Sequence, residues 1–165
     1  MIEKGRHLRP WIFQHSASTA VEVGDERKVM RKFPPMAKNS PHLRVLVVDD
    51  EPLIRWSLAE TLTDSGHSVS EAGDGEAAVR LLTDGEHLFD VVLLDYHLPD
   101  SNDLNLLATI RRIAPSSAVI MMTAFGTPEV DAGARQLGAY QVVPKPFEVH
   151  DIATLVLQAH AAVLR

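Results

Sequence analysis

Apolar residues gather in five short runs: RVLVV at 44–48, a weaker run near 67–71, VVLLD at 91–95, AVIMMT at 118–123 and YQVV at 140–143. The run at 91–95, led in by Asp90 and closed by a turn, predicts a strand buried on both faces of a parallel sheet, that at 44–48 a buried strand, and the other three the remaining strands. Between them the apolar positions recur at helical spacing. PLIRWSLAETLTD predicts a helix with Pro52 in its first turn and Gly66 at its end. Leu53, Trp56 or Ser57, Leu58 and Leu62 are expected to face the sheet, with Trp56 half-buried. Further helices are predicted from about Gly75 to Thr83, through Leu104, Leu107, Ile110 and Ile113, from about Pro128 to Leu137, and from about Val149 to Leu164. The fourth is the weakest, because Gly133 costs it on the order of 1 kcal/mol against alanine; Gly138 caps it. Strands alternating with helices through short loops define a doubly wound α/β fold with a five-stranded parallel sheet, over residues 43–165.

Residues 1–42 carry neither period, and Pro34, Pro35 and Pro41 punctuate their end, so a disordered arm is expected there. Met36, just before the patterned part, and Met30 are candidate translation starts. The arm holds eight Lys and Arg against four Asp and Glu, a net +4, whereas the remainder holds eight against eighteen, a net −10. An acidic body lacks the clustered cations that phosphate contacts need, so no direct DNA binding is expected. The absence of cysteine excludes disulfides, thiolate metal sites and cysteine nucleophiles. No apolar run approaches the roughly 20 residues of a membrane helix, and WIF near the start is too short for a signal-peptide core. A cytoplasmic location is the expectation, with no second domain after the last helix.

The carboxyl ends of parallel strands share one edge, where open α/β sheets place their ligands. Read off in order, those ends bear Asp49, Asp50 and Glu51, then Asp95, then Thr123, then Lys145. Two like charges about 4 Å apart repel by roughly 4 kcal/mol at an effective dielectric near 20. A divalent cation resolves that repulsion, and carboxylates with room for water suit Mg²⁺. Asp95 is then a candidate nucleophile, since aspartate forms acyl phosphates where a metal and a cation cradle the transferring group. Read singly, Asp49 and Asp50 are better explained as helix N-cap and first-turn acids, an account that becomes an accompaniment beside Asp95 and Lys145; Glu51 reads as an N-terminal helix acid rather than a metal ligand, and the His97 ring as a surface histidine.

VLVVDDEP, VVLLDYHLPD, MMTAFG and VVPKPF, in this order and spacing, resemble the receiver domain of bacterial two-component response regulators, closest to the nitrogen-regulation type. The resemblance covers about residues 43 to 163 and implies a flavodoxin-like (βα)5 receiver fold. It implies that Asp95 is the phosphoacceptor, receiving a phosphoryl group from a phosphohistidine on a sensor histidine kinase or phosphotransfer protein. Asp50, Asp95 and the main-chain carbonyl of His97 would bind Mg²⁺, and Asp49 would bind it through water. Thr123 would turn its hydroxyl onto the phosphoryl group, and Lys145, ahead of a cis peptide to Pro146, would pair with it. The chain is then expected to be a switch of partner binding rather than an enzyme, limited to self-phosphorylation and self-dephosphorylation. The implied partner surface for a downstream protein is the fourth helix and the faces beside it; a phosphorylation-linked homodimer is compatible with the resemblance.

The sequence departs from the family in three places. Val142 stands where an aromatic switch residue is usual, three before Lys145, and Tyr140, two residues and about 6.6 Å earlier on the same strand face, is the expected substitute. Ser101, Asn102 and Asp103 replace the usual glycine turn. No output domain follows, which leaves a stand-alone receiver or a fragment. His97 and Phe125 are expected to flank the path of hydrolytic water, with Phe125 shielding the acyl phosphate. Two other functions compete: a phosphorylation-independent interaction module, favoured by Val142, and a Mg²⁺-dependent aspartyl-phosphate phosphohydrolase, disfavoured because DDEPL after the first strand lacks D-x-D-x-T. No glycine-rich nucleotide loop is present.

Overall fold

The computed structural model describes residues 40–85 and 88–164. The expected arm at 1–42 lies almost wholly outside the described residues. Within them the chain alternates strictly: β1 (Arg44–Val48), α1 (Pro52–Asp64), β2 (Ser68–Ala72), α2 (Gly75–Thr83), β3 (Val91–Asp95), α3 (Asn105–Ile113), β4 (Ala118–Thr123), α4 (Pro128–Gln136), β5 (Gln141–Pro144) and α5 (Val149–Val163). All four strand pairings are parallel, in the order β2-β1-β3-β4-β5. β1 is thus flanked by β2 and β3, and the strand order reverses at the β1–β3 pair. That reversal opens a crevice at the carboxyl edge between them.

Every residue of β3 and β4 is buried, as continuous apolar runs in a two-sided sheet require. One face packs Val45, Val47, Leu93, Ile120 and Met122 against Leu58 and Leu62 of α1 and Ile152 and Val156 of α5. The other packs Leu46, Val48, Leu94, Val119 and Met121 against Ala78 of α2, Leu107 and Ile110 of α3, and Ala134 of α4. The weak fourth helix forms because Thr127 caps it, accepting a hydrogen bond from the Val130 N–H, with Pro128 at its first position. Gly133 has a packing role: a Cβ there would stand 2.7 Å from Leu104 Cδ1.

Four expectations are corrected. β2 and β5 each begin one residue later than the apolar runs suggested. Leu53 and Trp56 do not face the sheet: they are 80% and 60% exposed. The inward stripe of α1 is Ile54, Leu58 and Leu62 at steps of four, which at about 100° per residue turns Leu53 to the flank and Trp56 to the far side. Tyr140 does not share a face with Val142. It lies just before β5 and packs with Val143 on the α1–α5 side, whereas Val142 packs with the α2–α4 side. The period of two thus fails at the entry to β5, although the Tyr140 N–H still donates to the Val119 carbonyl of β4 at 2.7 Å.

Candidate functional site

The carboxyl edge of the sheet brings the expected residues together. Asp49 follows β1 and is fully buried, Asp95 ends β3 at 5% exposure, and Thr123 ends β4 at 1%. Among the described residues, carboxylate oxygens of Asp49, Asp50 and Asp95 all lie within 4.8 Å of one another; Asp50 is exposed. Lys145, just past β5 and preceding a cis peptide to Pro146, projects its Nζ to 2.8 Å from Asp49 Oδ2 and 2.8 Å from Asp95 Oδ2. The Lys145 N–H donates to the Thr123 carbonyl at 2.8 Å, which fixes the lysine to the end of β4.

The remaining oxygens are tied locally. Asp49 Oδ1 accepts from the Glu51 N–H at 2.9 Å, and Asp95 Oδ1 accepts from the His97 N–H at 3.2 Å. Asp49 and Asp50 are not the caps of α1, because Glu51 occupies the N-cap position without a side-chain capping bond. Glu51 turns back instead, placing Oε1 3.5 Å from Lys145 Nζ. That contact was not legible in the sequence, where an acid before Pro52 reads as a helix acid. Thr123 Oγ1 accepts from the Phe125 N–H at 3.1 Å, which leaves the hydroxyl proton free to be donated elsewhere. The His97 ring is exposed, as expected of a surface histidine, and meets Phe125 edge-on at 6.1 Å.

The charges do not balance. Burial pushes the Asp95 carboxyl above the usual carboxylate range, and the bonds from Lys145 and the His97 N–H only partly oppose it. For Lys145, burial acts downward, yet its two carboxylate hydrogen bonds outweigh it and hold the ammonium above the ordinary lysine value. The two directions are compatible: the lysine has two acids to itself, while Asp95 shares one lysine with Asp49. Four acids, Asp49, Asp50, Asp95 and Glu51, gather about one ammonium, so negative charge is in excess in the crevice. The donors are all oxygen atoms, with no imidazole or thiolate in the cluster, so the set fits Mg²⁺ better than zinc or copper.

A second acid that sequence reasoning passed over is Asp100. Its carboxylate accepts from the Gly75 and Glu76 N–H groups at the start of α2, each at 2.9 Å. These bonds hold its carboxyl below the usual range. The turn after Pro99 that carries it is closed by two main-chain bonds between Leu98 and Ser101, at 2.7 and 3.1 Å.

A five-stranded parallel sheet of order 2-1-3-4-5, with an acid cluster and one lysine at its carboxyl edge, defines a doubly wound α/β protein of the flavodoxin-like class. The chain belongs to the response regulator receiver domain family, which it matches over residues 45–157. It is 33% identical over 115 residues to the DNA-binding transcriptional regulator NtrC of Azospirillum brasilense, covering 70% of this chain and 24% of that protein. It is 38% identical over 112 residues to the transcriptional regulatory protein PdtaR of Mycobacterium tuberculosis, covering 66% of this chain and 52% of that one. The chain therefore spans from a quarter to about half the length of these relatives. A CheY-like receiver domain protein from Methanospirillum hungatei superposes with a TM-score of 0.70 at 23% identity, over 75% of this chain and 98% of that one; the likeness is one of fold. These similarities favour neither the phosphohydrolase nor the phosphorylation-independent module.

Proposed function

We propose that this chain is the phosphorylation-operated switch of a two-component system, with Asp95 accepting a phosphoryl group from a phosphohistidine on a sensor histidine kinase or phosphotransfer protein. The observation that carries this reading is the Lys145 ammonium shared at 2.8 Å between Asp49 and Asp95, beside an exposed Asp50. An Asp95 carboxylate oxygen attacks phosphorus as the P–N bond breaks, and that bond's electron pair returns to the leaving imidazole. Lys145 then exchanges its bond to Asp95 for one to a phosphoryl oxygen, and the Thr123 hydroxyl donates to another. Asp50, Asp95 and the main-chain carbonyl of His97 would hold Mg²⁺ directly, with Asp49 acting through water. The ion, when bound, supplies charge neutralisation for the phosphoryl oxygens.

The phosphodonor has a place to sit. A groove of about 450 Å³ beside the crevice is lined by Leu53, Ile54, Ala124, Lys145 and Phe147, with Glu51 at its edge. Two of these six, Lys145 and Glu51, are themselves paired at 3.5 Å, and Lys145 also bonds the acid cluster. The output of the switch, in this reading, is altered binding of a downstream protein at α4 and its neighbouring faces, in the cytoplasm. No helix among the described residues is long and apolar enough to cross a membrane.

The test is incubation with acetyl phosphate and Mg²⁺ followed by intact-mass measurement. The expected result is a labile gain of one phosphoryl group that is absent from Asp95→Asn. No gain in the parent sinks the reading, and rapid multiple turnover of a phosphate ester would replace it with the hydrolase.

A further inference from the structure

We propose that Asp100 is a positioning residue for the acid cluster, fastening the loop that follows Asp95 to the first turn of α2. The inference rests on the reading of the Asp95 crevice as a Mg²⁺ and phosphoryl site. Each link of the chain from α2 to Asp95 is a short contact. Of the four N–H groups that a helix N-terminus leaves without an intrahelical partner, Asp74 takes that of Ala77 at 2.7 Å, and Asp100 takes those of Gly75 and Glu76 at 2.9 Å each. Asp100 therefore comes from a different loop and completes a cap that α2's own residue leaves unfinished. Gly75 makes the approach close: a Cβ there would stand 2.8 Å from Leu106 Cδ2 and 3.2 Å from Asp100 Oδ2.

From Asp100 the fixation passes to the site. The Leu98–Ser101 bonds make residues 98–101 a closed turn, and Leu98 is buried in the α2–α4 core. With the turn anchored at both ends, His97 is held where its N–H meets Asp95 Oδ1 at 3.2 Å. One residue, His97, then fixes the carboxylate's orientation through its N–H and would offer its carbonyl, in the next peptide, to the metal. Groups that orient metal ligands in this way typically contribute 10- to 100-fold in affinity.

The experiment uses calorimetric Mg²⁺ titration and amide exchange of His97 and Leu98 in the metal-free, full-length protein. Three proteins are compared: the parent, Asp100→Ala, and Asp74→Ala, which damages the same helix end without touching the loop. The expected result is Mg²⁺ affinity weakened about tenfold or more and faster His97 and Leu98 exchange in Asp100→Ala alone. Asp74→Ala should match its thermal destabilisation while keeping parental affinity. Parental affinity in Asp100→Ala overturns the tether but leaves the site reading intact. An equal loss in both variants also overturns it, assigning the effect to the helix. A parent that binds no Mg²⁺ overturns the site reading and the tether together.

Discussion

Asp95 is buried beside one ammonium that it shares, and burial keeps its carboxyl above the ordinary range. A raised carboxyl pKa means that the folded state binds the proton more tightly than the unfolded chain, so stability is lost as pH rises through that window. At neutral pH the ionised Asp95 is then a cost. Asp95→Asn, which keeps the shape and removes the charge, is expected to raise the melting temperature of the metal-free protein by about 2–5 °C, read by calorimetry at pH 7. His67 works in the opposite pH direction. It is 3% exposed, its Nδ1 accepts from the Leu43 N–H at 3.3 Å, and its Nε2 has no hydrogen-bond partner among the described residues. Burial, with His42 nearby, holds its pKa below 6.5. The unfolded chain therefore takes up the proton first, and stability falls as pH drops below about 6.5. His67→Asn retains an acceptor for Leu43 without titrating, and denaturation curves at pH 7.5 and 5.5 should show a smaller loss than in the parent. Phe125, 75% exposed and edge-on to His97, is expected from the sequence to shield the acyl phosphate. Phe125→Ala is expected to shorten the lifetime of the phosphorylated form; an unchanged decay by intact mass would remove that role.

At the scale of elements, the central strands and the helices could be read from apolar periodicity, because buried parallel strands and amphipathic helices leave different periods in a sequence, whereas β2, with one buried residue, was placed by the alternation of elements around it. What failed did so for local reasons. Leu53 and Trp56 were assigned inward because three consecutive faces of α1 carry apolar residues, and only the packing of Ile54, Leu58 and Leu62 decides among them. Tyr140 was assigned to the Val142 face by counting in twos back past the first residue of β5, where the alternation does not hold. Asp100 escaped because an acid after proline is a common turn residue, and its partners lie 24 and 25 positions away on α2. The site residues themselves were legible because each ends or follows a strand. Gly138, after α4, tests one of the element boundaries: it sits at φ 91°, and a Cβ there would meet Arg111 Nε at 3.0 Å. Gly138→Ala should destabilise the protein by about 1 kcal/mol or more in denaturant titration, through the left-handed backbone alone.

For the whole molecule, binding and folding are linked through the crevice. A cation bound by the folded state alone stabilises it by RT ln(1 + [L]/Kd), about 2.7 kcal/mol at a hundredfold excess over Kd. The melting temperature should therefore climb with Mg²⁺ concentration in the parent and stay flat in Asp50→Asn, which loses the exposed acid of the cluster.

The strand order has one more consequence, for how the protein comes to be made. Asp49 and Asp95 arrive on β1 and β3, neighbours in the centre of the sheet, whereas the lysine that neutralises them arrives 96 and 50 residues later, just beyond the edge strand β5. A nascent chain that has paired its central strands carries an uncompensated knot of negative charge until its last strand docks. Under the proposed function, a chain whose last strand has not yet docked lacks the lysine of its own site.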